Sequence, residues 1–272
     1  MADDEFVPRP SPLLGLTEPV RAIFDLSTLL PGEAWLRLAA RGDGHRVVVL
    51  PGFTASDRST GPLRRFLRSR GFDARGWELG RNMGAPHLSA DLDTLLTRAL
   101  DDTGAPISLI GWSLGGVLAR NLARRHPGAV RSLVTLGSPI SGSPTRTRAW
   151  RLYRHVHRPR EAHEFDRSAQ RGPPEGVPSM AIWSKSDGIV PWQVSREHAG
   201  PRRENLQVQA SHLGLGVHAA VLYSVADRLS QTPDSWQPFV PPWWLRAVLK
   251  VETGATGVAE GGTTGKEPER GR

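Results

Sequence analysis

The chain has 272 residues, a net charge of +8 and no cysteine, which excludes disulfides, thiolate metal sites and a cysteine nucleophile. No run approaches the roughly 18 apolar residues of a membrane span. The acidic opening MADDE lacks a basic-then-apolar leader, so a cytoplasmic location is expected. Its basic residues are almost all arginine, with lysine only at Lys185, Lys250 and Lys266. No helix-turn-helix, RRM or zinc pattern accompanies that charge, so nucleic acid is not an expected partner.

The termini differ from the middle. Residues 1–12 and 254–272 are rich in Gly, Pro and charge and are expected to be flexible or disordered, leaving 13–235 as the folded domain. Within it, "HRVVVL" (45–50) is a short β-branched run stopped by Pro51-Gly52, the pattern of a strand buried on both faces. "TGPLRRFLRSRGF" (60–72) places Leu63, Phe66 and Leu67 on one helical face. "DARGWEL" (73–79) suits a second strand. "SADLDTLLTRALDD" (89–102) opens on a Ser cap, with Leu92, Leu95, Leu96, Ala99 and Leu100 together.

"PISLIG" (106–111) predicts a strand and "LGGVLARNLARRH" (114–126) a helix. "VRSLVTLG" (130–137), "PSMAIWS" (178–184) and, more weakly, "NLQVQ" (205–209) follow as strands, and "GVHAAVLYSVADRL" (216–229) as a last helix. Parallel strands need helical crossovers, so this alternation predicts a mostly parallel central sheet with helices on both faces. Residues 143–178 interrupt it with eight arginines (146, 148, 151, 154, 158, 160, 167 and 171). A connection of that length suits a lid or cap insertion, here expected to be mostly helical over "RTRAWRLYRHVHR". A merely solvated insertion is the alternative.

"LIGWSLGGVLAR" puts Ser113 between Gly111 and Gly115, directly after a strand and before a helix. That is the setting a G-x-S-x-G nucleophile elbow requires, with small neighbours to admit a strained backbone. A serine hydroxyl is a weak nucleophile until a base, itself held by a carboxylate, takes its proton. After Ser113 the histidines are His126, His155, His157, His163, His198, His212 and His218. His126 falls at the far end of the following helix, about 18 Å away at 1.5 Å per residue. His155, His157 and His163 belong to the insertion, His198 precedes the last strand, and His218 falls inside the final helix. His212, in the loop before that helix, is the expected base. Asp187, in a Ser-Asp-Gly turn just after a strand, is the expected acid, with Asp166 of the insertion second. The backbone N–H groups of Leu114 and Phe53 are the expected oxyanion donors, with Thr54 the alternative to Phe53.

Five ordered pieces, "LPGF" (50–53), "GWSLGG" (111–116), "TLGSPISGS" (135–143), "SKSDGIVP" (184–191) and "SHLGLG" (211–216), resemble the α/β-hydrolase superfamily and its bacterial lipase and esterase branch. The resemblance spans about residues 44–230. It implies an α/β-hydrolase fold with a short cap insertion, a Ser113–His212–Asp187 triad, an oxyanion hole framed by Phe53 and Leu114, and no cofactor or metal. It further implies a carboxylic ester or lipid substrate cleaved through an acyl-enzyme. Many relatives carry His-Gly where this chain has Pro51-Gly52, and the insertion is short and charged rather than a large apolar lid. Acyl transfer by the same triad, or a non-catalytic lipid- or protein-binding module on the scaffold, are the competing functions. The aromatic segment 236–253 bears on the last of these, since Trp236, Phe239, Trp243 and Trp244 beside Arg246 and Lys250 suit either peripheral membrane contact through 236–251 or packing on the domain.

Overall fold

In the computed structural model residues 7–169 and 171–253 are described. Residues 1–6 of the expected flexible N-terminus and the whole expected tail, 254–272, lie outside them. Strands β1 (Arg46–Leu50), β2 (Asp73–Gly76), β3 (Ile107–Trp112), β4 (Val130–Leu136), β5 (Ser179–Trp183), β6 (Arg203–Val208) and β7 (Leu249–Thr253) form one sheet in the order β2-β1-β3-β4-β5-β6-β7. Every pairing is parallel except the last, β6 with β7.

The continuous apolar run in β1 has a two-sided cause. Val47 and Val49 enter one core with Ile110, Trp112, Val134 and Ile182, while Val48 and Leu50 enter the other with Ile107, Leu109 and Leu133. Helices α3 (Gly61–Ser69) and α8 (Ala219–Ser230) cover the first core, and α4 (Leu88–Thr103) and α5 (Leu114–Arg125) cover the second. Each fully buried aliphatic chain is worth about 1.5–3 kcal/mol, so a polar residue at any alternate position would be costly. This is the mostly parallel sheet with helices on both faces that the sequence predicts. Among the described residues no helix is long and apolar enough to cross a membrane.

Four local expectations need amendment. The strand expected over 73–79 stops at Gly76, because the N–H groups of Trp77 and Glu78 both turn to the Asp57 carboxylate (3.0 Å each). The helical part of the insertion extends beyond residue 158, as two helices, α6 (Trp150–Val156) and α7 (Pro159–Ala169). Pro159 opens the second, and a proline disfavours helical backbone in the residue before it. His218 caps α8 instead of lying within it, accepting the Ala220 N–H (3.2 Å). Two helices ahead of the first strand, α1 (Pro12–Ser27) and α2 (Leu29–Leu36), and the antiparallel β7 have no counterpart in the expected elements.

The C-terminal aromatic segment folds back. Phe239 joins the first core, and Trp244 stacks on Trp35 of α2 (centroids 4.8 Å apart) and meets the Tyr223 ring edge-on (5.1 Å). Arg228 lies over Trp236 (5.3 Å), whereas Trp243 is 76% exposed. A buried ion pair holds the segment. Arg228 of α8 sits 2.5 Å from Glu204 of β6, whose other oxygen takes the Phe239 N–H (2.9 Å), and Arg228 also donates to the Gln237 carbonyl (2.9 Å). Burial pushes the Glu204 carboxyl up and outweighs the pull of Arg228 and the Phe239 N–H.

Breaking such a pair from one side leaves a buried charge alone. Arg228→Ala is expected to lose about 3–5 kcal/mol in urea unfolding at neutral pH. The loss should shrink as pH falls, because the folded state, with its raised carboxyl, then takes up a proton. An unchanged unfolding midpoint would show that the pair does not hold the segment.

Candidate active site

Buried β3 runs directly into α5, and the single residue between them is Ser113. Its backbone sits at φ 54°, ψ −121°, a left-handed region an L-residue enters only when its surroundings force it. The forcing is visible. A Cβ on Gly111 would collide with the Gly116 backbone, and one on Gly115 would collide with the Leu50 and Pro51 carbonyls. The helix therefore starts hard against β1. The Ser113 N–H is anchored to the Leu136 carbonyl of β4 (2.8 Å). Ser113 lies at the N-terminal end of α5, where backbone N–H groups and the helix dipole favour negative charge.

Across from it, Gly52 brings the loop after β1 against Ser113, leaving 3.2 Å between the position of a Gly52 Cβ and Ser113 Cβ. Fully buried Asn82 braces this loop. Its side chain donates to the Pro51 carbonyl (2.7 Å) and accepts the Gly84 N–H (3.0 Å). Its backbone carbonyl takes the Thr54 N–H (2.7 Å), and its own N–H goes to the Ala55 carbonyl (2.8 Å). Thr54 is held at φ 62° by these bonds, an unusual conformation for a β-branched residue. Its donor is spent, which removes it as the alternative to Phe53. Among the described residues the N–H groups of Phe53 and Leu114 donate to no protein acceptor.

Asp187 and His212 meet at 2.6 Å, Oδ2 to Nδ1, and each is only 4% exposed. The other Asp187 oxygen accepts the Ile189 and Val190 N–H groups (2.8 and 2.7 Å). An acceptor carboxylate fixes the tautomer, putting the proton on Nδ1 and leaving Nε2 as the free base. Gly137 (φ 53°) backs the pair, and a Cβ there would stand 3.0 Å from both bonded atoms. Trp112, the residue before the serine, donates its indole N–H to the His212 carbonyl (3.1 Å). The structure joins Asp187 to His212 directly, and Trp112, the chain neighbour of Ser113, ties the end of β3 to the His212 backbone. No hydrogen bond joins Ser113 to His212, a contact that apo enzymes often leave long. Burial pushes the His212 imidazole down, but the Asp187 charge and hydrogen bond, with the Glu18 charge added, outweigh it and raise it above 6.5.

Glu18 belongs to α1 and is itself 2% exposed. Its carboxylate accepts the backbone N–H groups of Gly188 (2.7 Å), His212 (3.1 Å) and Leu213 (3.0 Å), one from the acid loop and two from the histidine loop. Arg21 pairs with it (2.8 Å) and donates on to the Ser186 carbonyl (2.5 Å). Seven residues along the same helix face, buried Asp25 accepts the Ser211 N–H (2.8 Å). None of these residues, nor Asn82, was singled out by the sequence reading. The available signal was two acids seven apart in one helix, which puts them on one face.

The other candidates sit elsewhere. His126 contacts Asp93 (2.9 Å), His157 the Met83 carbonyl (2.6 Å) and His163 Arg167 (3.1 Å), while His198 is exposed beside Glu197. Asp166 accepts a hydrogen bond from Ser143 (2.6 Å). The pocket over Ser113 is apolar and tight at 30 Å³, walled by Phe53, Trp150, Tyr153, Phe165 and Val190. Tyr153 of α6 fixes the roof by donating to the Gly84 carbonyl (3.2 Å). A roomier hollow of 510 Å³ between β2 and α4 holds salt-linked Arg46, Arg75 and Asp102, and neither Ser113 nor His212 lines it.

With this geometry in place, comparison with known proteins is informative. A family model described as "alpha/beta hydrolase fold" matches residues 32–156, a stretch that contains Phe53, Ser113 and Leu114 but ends before Asp187. The polyketide synthase ThaQ of Burkholderia thailandensis is 35% identical over 133 residues, 46% of this chain. A pimeloyl-[acyl-carrier protein] methyl ester esterase of Aromatoleum aromaticum is 47% identical over 53 residues, 20% of this chain. The matched stretches span 6% and 20% of those proteins. Among solved structures, lipase B of Aspergillus fumigatus superimposes with a TM-score of 0.53 at 16% identity, covering 74% of this chain and 59% of that one. Mouse alpha/beta hydrolase domain-containing protein 10 gives 0.51 at 17% identity, covering 68% and 88%. These likenesses establish the fold.

Glu18→Gln removes a charge that raises the His212 imidazole and places an NH2 group among N–H donors. The His212 Cε1–H resonance should titrate at lower pH in the variant, and stability should fall by about 1–3 kcal/mol. The sign follows from the raised imidazole. Its stabilising contribution is complete below 6.5 and is lost as pH rises through the folded value. An unmoved titration would show that Glu18 exerts no field on the ring.

Proposed function

Because the chain has the α/β-hydrolase fold, with a model of that fold matching residues 32–156, we propose that it is a serine hydrolase of carboxylic esters working through Ser113, His212 and Asp187. The observation that carries this reading is the buried Asp187–His212 hydrogen bond, tied through Trp112 to a strand that ends in a serine on a strained strand-to-helix turn. Ser113 Oγ attacks the acyl carbonyl while His212 Nε2 takes its proton. Asp187 keeps the ring oriented and stabilises the imidazolium. The carbonyl oxygen, now negative, is received by the N–H groups of Phe53 and Leu114 at the dipole end of α5. His212 returns the proton to the departing alcohol, and water then releases the acid by the same steps in reverse order of partners.

The apolar walls of the pocket, Phe53, Trp150, Tyr153, Phe165 and Val190, suit a small apolar group next to the ester and offer nothing to a charged one. The methyl ester esterase among the relatives supports ester chemistry. The cap helices α6 and α7 form the roof through Trp150, Tyr153 and Phe165, so the insertion sets what enters.

A fluorophosphonate probe is expected to label the wild type and not Ser113→Ala. Asp187→Asn should lower kcat on p-nitrophenyl esters by about four orders of magnitude with little change in KM. Activity should rise with pH through a value above 6.5, since the base must be neutral and its imidazole is raised. Labelling of Ser113→Ala as strong as wild type would remove Ser113 as the nucleophile. Product analysis with added alcohol separates hydrolysis from acyl transfer.

A further inference from the structure

Helix α1 is turned the wrong way round for a surface helix. At 100° per residue, Leu13, Leu16, Val20, Ile23 and Phe24 fall within an arc of about 100°, opposite Glu18 and Asp25. An amphipathic helix ordinarily buries the apolar arc and shows the carboxylates. Here the carboxylates are buried under the acid and histidine loops, and the five apolar side chains are 58–81% exposed. Leu30 extends the stripe at 81%. From Leu13 to Phe24 it runs about 16 Å, and a contiguous exposed apolar patch of this kind marks an interaction surface.

What lies at its N-terminal end decides the partner. Arg9, just before the helix, joins Trp150, Arg151, Arg154 and His155 of α6 around a hollow of 330 Å³. Among the described residues Arg9, Arg151 and Arg154 are in no ion pair, and the acids of α1 are both buried. Leu152 and Val156 of α6 are exposed beside them, at 51% and 46%. Among the described residues the surface is therefore an apolar stripe ending in cations with no acidic partner. Two such faces meeting symmetrically bring these cations no free acid among the described residues of α1 and α2, because Glu18 and Asp25 are buried and Glu33 of α2 pairs with Arg37 (2.7 Å). An anionic bilayer supplies both complements at once, acyl chains for the stripe and phosphates for the guanidinium groups.

We propose that the exposed face of α1, with Arg9, Arg151 and Arg154, docks the protein flat on an anionic phospholipid surface. Trp150 lines both the cationic hollow and the pocket over Ser113, so the docked face adjoins the candidate site through a single side chain. Leu213, beside His212, is 43% exposed and held by Glu18 of the same helix. An ester drawn from the bilayer is then the substrate class, a corollary that rests on the proposed hydrolase reading. Docking does not rest on it.

Co-sedimentation of the full chain with vesicles of phosphatidylcholine and phosphatidylglycerol in equal parts tests docking without any catalytic step. The wild type should bind these vesicles about tenfold more tightly than pure phosphatidylcholine. Leu16→Ser/Ile23→Ser should lose about tenfold in affinity, with its melting temperature and its turnover of a soluble ester unchanged. Val20→Ser/Phe24→Ser serves if the first pair melts early. Arg9→Ala/Arg151→Ala/Arg154→Ala should flatten the salt dependence of binding. Equal sedimentation of wild type and serine variants, or none by the wild type, would overturn the proposal. So would a wild-type dimer in light scattering that the serine variants dissolve, since it would give the stripe to a second copy.

Discussion

The backbone at Ser113, φ 54° and ψ −121°, costs an L-residue about 1–3 kcal/mol, and much of the surrounding structure exists to hold it there. The turn is possible because β3 and α5 approach each other and β1 closely enough that Gly111 and Gly115 admit no side chain. That approach in turn needs the two-sided burial of β1 and β3, which fixes the strand ends in place. The strain has a chemical consequence. It places the serine off the end of the sheet, at the start of a helix, and in the proposed mechanism the Leu114 N–H beside it receives charge that develops on a substrate.

Holding a serine is only half of what the proposed mechanism requires, because Asp187 and His212 ride on loops after β5 and β6. Those loops are stapled from outside the sheet. Glu18 receives N–H groups from residues 188, 212 and 213, and Asp25 receives that of Ser211. A carboxylate that accepts several backbone donors is both stabilised and immobilised by them, so α1 works as a splint across two loops far from it in sequence. The arrangement explains why the helix is inverted: its polar face is occupied by the loops, which leaves its leucines outside. Positioning of His212 and exposure of the apolar stripe are thus two sides of one helix orientation.

The parts legible in the sequence were those whose physics is local. β1 and β3 announced themselves as unbroken apolar runs, and Asp187 and His212 emerged from chain order and their place after strands. The parts that were not legible depend on partners distant in sequence. An apolar arc such as that of α1 normally points to the core, and nothing in residues 12–27 shows that the carboxylate side wins that place. Asn82 is one polar residue in a glycine-rich loop until the loop it braces is seen. β7 contains Lys250 and Glu252 in a short edge strand, a pattern too polar to stand out, and it pairs with β6 only after Phe239 and Trp244 have brought the chain back. The break of the cap at Pro159 is local, since a proline sets where a helix can begin.

Rapid-quench intact-protein mass spectrometry with a p-nitrophenyl ester tests the central claim most directly. The account predicts a transient mass increase of one acyl group, mapping by peptide analysis to Ser113 and absent from the His212→Ala protein. Ester turnover with the acyl group on another residue, or undiminished acylation in His212→Ala, would contradict it.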